Sequence, residues 1–102
     1  MKFIQYATSA GEHFKYELQS ATGAGPKAQT VVPPFFPAEL LNEKQAGRVV
    51  VDVQVDEIGV VAGLWLISSN PEVFSVLATE AVREWKFEPT PMKIRVVLQF
   101  VP

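Results

Sequence analysis

The chain has no cysteine, one histidine and no apolar run long enough to cross a membrane. Without cysteine there is neither a disulfide framework nor a thiolate metal site, and the redox compartment stays open. A membrane-spanning helix needs roughly 18 to 20 consecutive apolar residues, and the opening stretch MKFIQYATSAGEHF also lacks the apolar region of a signal peptide. If the protein works outside the cytoplasm, a targeting segment is expected to have been removed. The formal net charge is only −2, which gives no field for gripping phosphate backbones or anionic membrane, so nucleic acid is not an expected partner. No internal repeat and no low-complexity tract stands out. No nucleophile, metal or phosphate constellation is visible either, so neither an enzyme nor a cofactor is expected.

What remains is an ordinary globular composition: 102 residues, 48% hydrophobic and 20% charged. A chain of this size forms one domain that buries roughly 60 to 70% of its unfolded surface. The organisation shifts once. Residues 20–32 are rich in glycine, proline and small side chains and read as a linker. It separates an extension, 1–19, from a main domain, 33–102. In the extension, HFKYELQ alternates, with Phe14, Tyr16 and Leu18 on one face and His13, Lys15, Glu17 and Gln19 on the other. KFIQY is its plausible hairpin partner. Such a hairpin is marginal alone and must dock on something.

In the main domain, Pro37 opens a short helix over AELLNEKQA, and Gly47 stands where a left-handed cap would close it. GRVVVDVQVD alternates as a half-buried strand with Val49, Val51, Val53 and Val55 on one face. Gly59 is placed to take positive φ in the turn DEIG, and VVAGLWLIS returns as a second strand. Asn70 and Pro71 are expected to cap and open a second helix. Its apolar stripe is Phe74, Leu77, Ala78, Ala81, Val82 and Trp85.

The stretch EAVREWKFEP closes that helix. Trp85 and Phe87, two apart, share a face only if the chain is already extended there, so the helix should stop near Trp85. Pro89 and Pro91 then turn the chain into MKIRVVLQFV, a last strand that alternates Ile94, Val96, Leu98 and Phe100 against Arg95, Val97 and Gln99. The order helix, strand, strand, helix, strand predicts an α+β fold. It is an antiparallel three-stranded sheet with two helices on one face, which the N-terminal hairpin can extend.

The ordered set Pro34, Phe36, Pro37, Gly47, Gly59, Ser68, Ser69, Trp85, Phe87 and Pro89 resembles the C-terminal domain of TonB-family energy transducers, over roughly residues 33–102. The resemblance implies a periplasmic coupling module, soluble as this fragment. In the full-length protein an inner-membrane anchor and a proline-rich spacer, both missing here, would tether it to a proton-powered motor complex. It also implies a partner, the TonB box of outer-membrane transporters, which adds as a strand to an exposed edge formed by the last strand. The contact residues are then Ile94, Arg95, Val96, Val97, Leu98, Gln99 and Phe100. Pro33 stands where many transducers carry glutamine or asparagine.

Other residues have plainer readings. Trp85 and Phe87 read as core, His13 as a polar-face residue, and Asp52 and Asp56 as carboxylates on the solvated face of a strand. Trp65 should emerge on the sheet face opposite Leu64 and Leu66. There it needs cover from the hairpin or a second chain, or serves as a second contact face. Arg95 and Gln99 read as solubilising edge residues or partner contacts. The alternative function is a TonB-fold interaction or self-association module, a homodimer included, with a structural role in the envelope.

Overall fold

A computed structural model describes residues 2–102. Its centre is the valine strand β4, Gly47–Val55, whose Val49, Val51, Val53 and Val55 are all fully buried. A strand with one continuous apolar face must be covered. The cover here is α2, Phe74–Arg83, with Phe74, Ala78, Ala81 and Val82 turned inward. The turn Asp56–Val60 returns the chain as β5, Val61–Asn70, antiparallel to β4.

Helix α2 ends where the tryptophan spacing predicts. The Trp85 amide bonds back to the Val82 carbonyl, and both Trp85 and Phe87 are buried. The chain then runs through β6, Lys86–Phe87, into β7, Met92–Phe100. β7 pairs antiparallel with β4 from Gly47 opposite Phe100 to Val55 opposite Met92.

The three expected strands are present and the N-terminal hairpin extends them, so the last strand is interior rather than at the rim as expected for an exposed binding edge. The sheet has five strands in the order β1-β2-β7-β4-β5, where β1 is Ile4–Ala10 and β2 is Phe14–Ser20. The physical reason lies in Phe14, Tyr16 and Leu18. A short hairpin cannot bury that apolar row by itself, and β7 offers both an unpaired backbone edge and a helix-side groove. The segment expected as a bare linker is also partly ordered: β3, Ala28–Thr30, pairs with β6 to make a second, two-stranded sheet.

Three local expectations change as well. Helix α1 is short, Ala38–Asn42. It closes on Lys44, at φ 56°, with Lys44 N–H donating to Leu41 O at 3.0 Å and Gln45 N–H to Leu40 O at 2.9 Å. That is a Schellman closure with lysine in the left-handed position. Gly47 is therefore not the cap; a Cβ there would enter the ring of Phe74, so the residue lets the α2 aromatic lie flat on β4. Asn70 does not cap α2 either. It remains in the ladder opposite Arg48, and the helix starts after a turn in which Phe74 N–H donates to Pro71 O.

The aromatic-proline pair before α1 has a packing role. Phe36 sets its edge against Phe74 at 5.6 Å and Phe100 at 5.8 Å, and those two rings stack at 4.2 Å. Edge-to-face and offset contacts of this kind add to the area buried.

Tyr6 ties the hairpin to the linker, its hydroxyl donating to Pro26 O at 2.9 Å. Burial first, then Glu88 and Tyr16, pushes its phenol from the ordinary value of 10.0 up to about 12. The unfolded chain therefore loses this proton first as pH rises. Stability from this group should hold below pH 10.0 and fall as pH climbs toward about 12. Denaturant midpoints across that window test this, and Tyr6→Phe should flatten the slope. An equal slope in both proteins would assign it to other groups.

Candidate partner-binding edge and face

Strand β7 carries all seven residues expected to meet a partner. Ile94, Val96, Leu98 and Phe100 point to the helix side and are buried in the core. Arg95, Val97 and Gln99 point to the face without helices. The backbone edge expected to be free is taken: β2 pairs along it from Phe14 opposite Phe100 to Gln19 opposite Arg95. Sequence reasoning saw the alternating segment and the edge, and the structure joins them.

The groove under β2 has an aromatic floor. Trp85 is 1% exposed and its indole N–H donates to the Val32 carbonyl at 2.8 Å, which fixes the ring. Tyr16 meets it edge-on at 4.8 Å and Phe14 at 6.2 Å, while Leu18 is buried further along.

On the helix-free face the sequence reading is corrected for Asp52 and Arg95. They sit opposite one another on β4 and β7, and Arg95 grips the carboxylate with two bonds, Nε to Oδ1 at 2.7 Å and an Nη to Oδ2 at 3.1 Å. Asp52 is only 6% exposed, so it is a paired, mostly buried carboxylate rather than a solvated one. The hydrogen bond to Asp52 holds the Arg95 guanidinium above its ordinary range, against the pull of burial. The Phe3 ring covers the guanidinium at 4.1 Å. The fork geometry makes this a specific pair. The sequence did carry a signal for it, since Asp52 is the lone charge within the valine run 49–53 and Arg95 the lone charge within 94–100.

Trp65 does emerge on the helix-free face. It is half exposed, folded back over Gly63, with the Lys93 ammonium 4.8 Å from its ring. The hairpin does not cover it. Leu66, expected to face the helices, is also half exposed, as are Ile67, Val73 and Val76 nearby in β5 and around the start of α2. In the ladder Val51 opposes Leu66, which keeps Leu66 on the helix side of the rim strand, and Val50 opposes Ser68, so Ile67 is an extra, bulged residue. A second irregularity follows at Ala62. Two bulges disrupt the outer row of β5 and guard that edge against casual pairing.

His13 lies in the β1–β2 turn, its Nδ1 3.3 Å from Val101 O and its ring against Phe36. Asp56 is part of the β4–β5 turn, accepting from the amides of Ile58 and Val60. Among the described residues no three His, Asp or Glu side chains come together as a metal-holding group. No helix among them is long and apolar enough to cross a membrane.

Comparison with known proteins decides the family. Residues 32–100 match the family described as Gram-negative bacterial TonB protein C-terminal. The chain belongs to the TonB C-terminal family. Protein TonB of Yersinia enterocolitica is 31% identical over 74 residues, which are 72% of this chain and 29% of that protein. The chain thus spans less than a third of that TonB. The solution structure of the Pseudomonas aeruginosa TonB C-terminal domain superposes with a TM-score of 0.60 at 21% identity, covering 76% of this chain and 85% of that one. The fold is that of a TonB C-terminal domain. Strands β1 and β2 lie wholly before the family match, so the TonB-like body is the part that β2 caps.

Proposed function

We propose that this chain is the periplasmic module of a TonB-like energy transducer. In this reading it receives the TonB box of an outer-membrane transporter as an added strand. It couples that contact to an inner-membrane, proton-driven motor complex through an anchor in the full-length protein, for the uptake of scarce nutrients. The family match over residues 32–100 carries the reading. The contact strand is Ile94–Phe100, with the Trp65 face as a second contact. Because β2 holds the β7 edge, the partner must take the place of β2. About half a dozen strand hydrogen bonds are exchanged rather than newly made, so at about 1 kcal/mol net each they contribute little overall. Affinity is then set by side chains and falls in the weak range, roughly micromolar to millimolar.

The test is a titration of the full chain with labelled peptides from transporter N-termini, followed by amide spectra. Shifts in Ile94–Phe100 together with release of Phe14–Gln19 are expected. A folded chain in which saturating peptide moves neither strand would sink the proposal.

One observation favours a second reading, a TonB-fold module that self-associates in an envelope-structural role. Trp65, Leu66, Ile67, Val73 and Val76 are large apolar side chains left about half exposed on the rim strand β5 and near the start of α2, of the kind that a second copy would cover. Sedimentation over a range of concentrations separates the two readings: a homodimer lost in Trp65→Lys supports the second.

A further inference from the structure

Among the described residues the hairpin's backbone joins the rest of the sheet through β2 alone, since β1 pairs only with β2. Three alternate side chains do the docking. Phe14 lies opposite Phe100, Tyr16 opposite Leu98 and Leu18 opposite Val96, all facing the Trp85 groove. Between them Lys15, Glu17 and Gln19 face the open side and lie opposite Gln99, Val97 and Arg95. The connection that follows is fastened independently. Lys27 N–H donates to Glu88 Oε1 at 2.8 Å, Glu88 N–H returns a bond to Lys27 O at 2.9 Å, and β3 pairs with β6. β2 can therefore leave β7 while residues 27–30 stay clasped to the body.

From this geometry we infer that β2 is a self-donated strand, seated in a groove that selects what replaces it. The replacement is an extended segment, antiparallel to β7, with bulky apolar side chains at three alternate positions and polar ones between. A segment with adjacent apolar residues places one of them on the Arg95–Gln99 face and leaves part of the Trp85 groove empty. The clasp at 27–30 keeps the displaced strand close by, at an effective concentration of about millimolar for a short tether. Any free segment competes against that value, so the domain answers strongly only to partners held nearby. The strand-addition reading enters only in naming the partner; the groove and its selectivity rest on the seat of β2.

The experiment uses the full chain and a fluorescent peptide EHFKYELQS, its own residues 12–20. The absence of native cysteine allows a clean lock, Lys15→Cys with Gln99→Cys, at directly opposed positions. The reduced chain carrying Leu18→Ala should capture the peptide at least tenfold more tightly than the chain with the native leucine. The oxidised, locked chain should capture none, and a peptide with its apolar residues made adjacent should not bind. Should Leu18→Ala fail to fold, Tyr16→Ala serves in its place. In the unaltered chain, β2 amides should also exchange hydrogen ahead of those in β4. Equal capture by locked and reduced chains, or no capture at millimolar peptide with β2 exchanging as slowly as β4, would overturn the inference. Transporter peptides that fail on a chain which does capture EHFKYELQS would sink the transducer partner and leave the groove standing. Transporter peptides that bind the locked chain equally well would place the partner elsewhere and sink the strand-addition reading, while capture of EHFKYELQS alone decides the groove.

Discussion

Trp85→Ala should lower stability by about 3 to 5 kcal/mol, the range for a large-to-small change in a packed core. The indole is 1% exposed and closes the helix stripe. It also floors the β2 groove against Tyr16 at 4.8 Å and Phe14 at 6.2 Å, and lies 6.3 Å from Phe87. Its N–H satisfies the Val32 carbonyl. Truncation removes the ring and that bond together, from a domain whose total stability is about 5 to 15 kcal/mol. The denaturant midpoint should fall accordingly. Hydrogen-exchange protection should drop further in β2 than in β4, because β4 keeps its valine contacts. Trp85→Phe should cost less, since it restores a ring without the donor. A midpoint unmoved by Trp85→Ala would refute the packing described for the helix end.

Gly59→Val should be comparably severe for a different reason. Gly59 sits at φ 87°, and a Cβ there would run into the backbone carbonyl oxygen of Phe87. Left-handed backbone costs an ordinary residue about 1 to 2 kcal/mol, and a β-branched one resists it more. The obstructing atom is main chain and cannot rotate away. Relief requires parting the turn from the segment after α2, which breaks the bond from Phe87 N–H to Gly59 O at 2.8 Å, worth about 1 kcal/mol net. The expected loss is about 3 kcal/mol, with amide shifts spreading from the turn to Trp85 and Phe87. Gly59→Ala should show a milder form of the same change. A fully stable valine variant would mean that the turn does not need its left-handed residue.

Much of this architecture was legible in periodicity. The valine alternation of β4, the stripe of α2 and the Trp85-to-Pro89 redirection are all signals contained in a few neighbouring residues, and the structure places each as its spacing implies. The failures are of another kind. Helix α1 stopped early because Lys44 accepted a conformation that sequence reasoning reserves for glycine, while Gly47 was needed for an approach by Phe74, a residue far away in the chain. Asp52 looked solvated because its partner, Arg95, is 43 residues distant and becomes visible only once the register of β4 on β7 is known. The extra residue at Ile67 was not legible either, since strand alternation carries no mark of a bulge. For the binding strand, the apolar row 94–100 was readable and the N-terminal hairpin was an expected extension of the sheet, but the register of β2 on β7 was not, because it pairs segments about eighty residues apart.

The middle position of β7 also sets the order in which the protein can assemble. Strands β1 and β2, then β4 and β5, are made first, as two hairpins on either side of a gap. Two-stranded hairpins are marginal in water by themselves. Until residues 92–100 leave the ribosome, the row Phe14, Tyr16, Leu18 and the neighbouring edge of β4 have nothing to join them. The keystone of the sheet is the strand synthesised last, so a chain cut short before Met92 would hold every helix of the fold and still have no continuous sheet for them to cover.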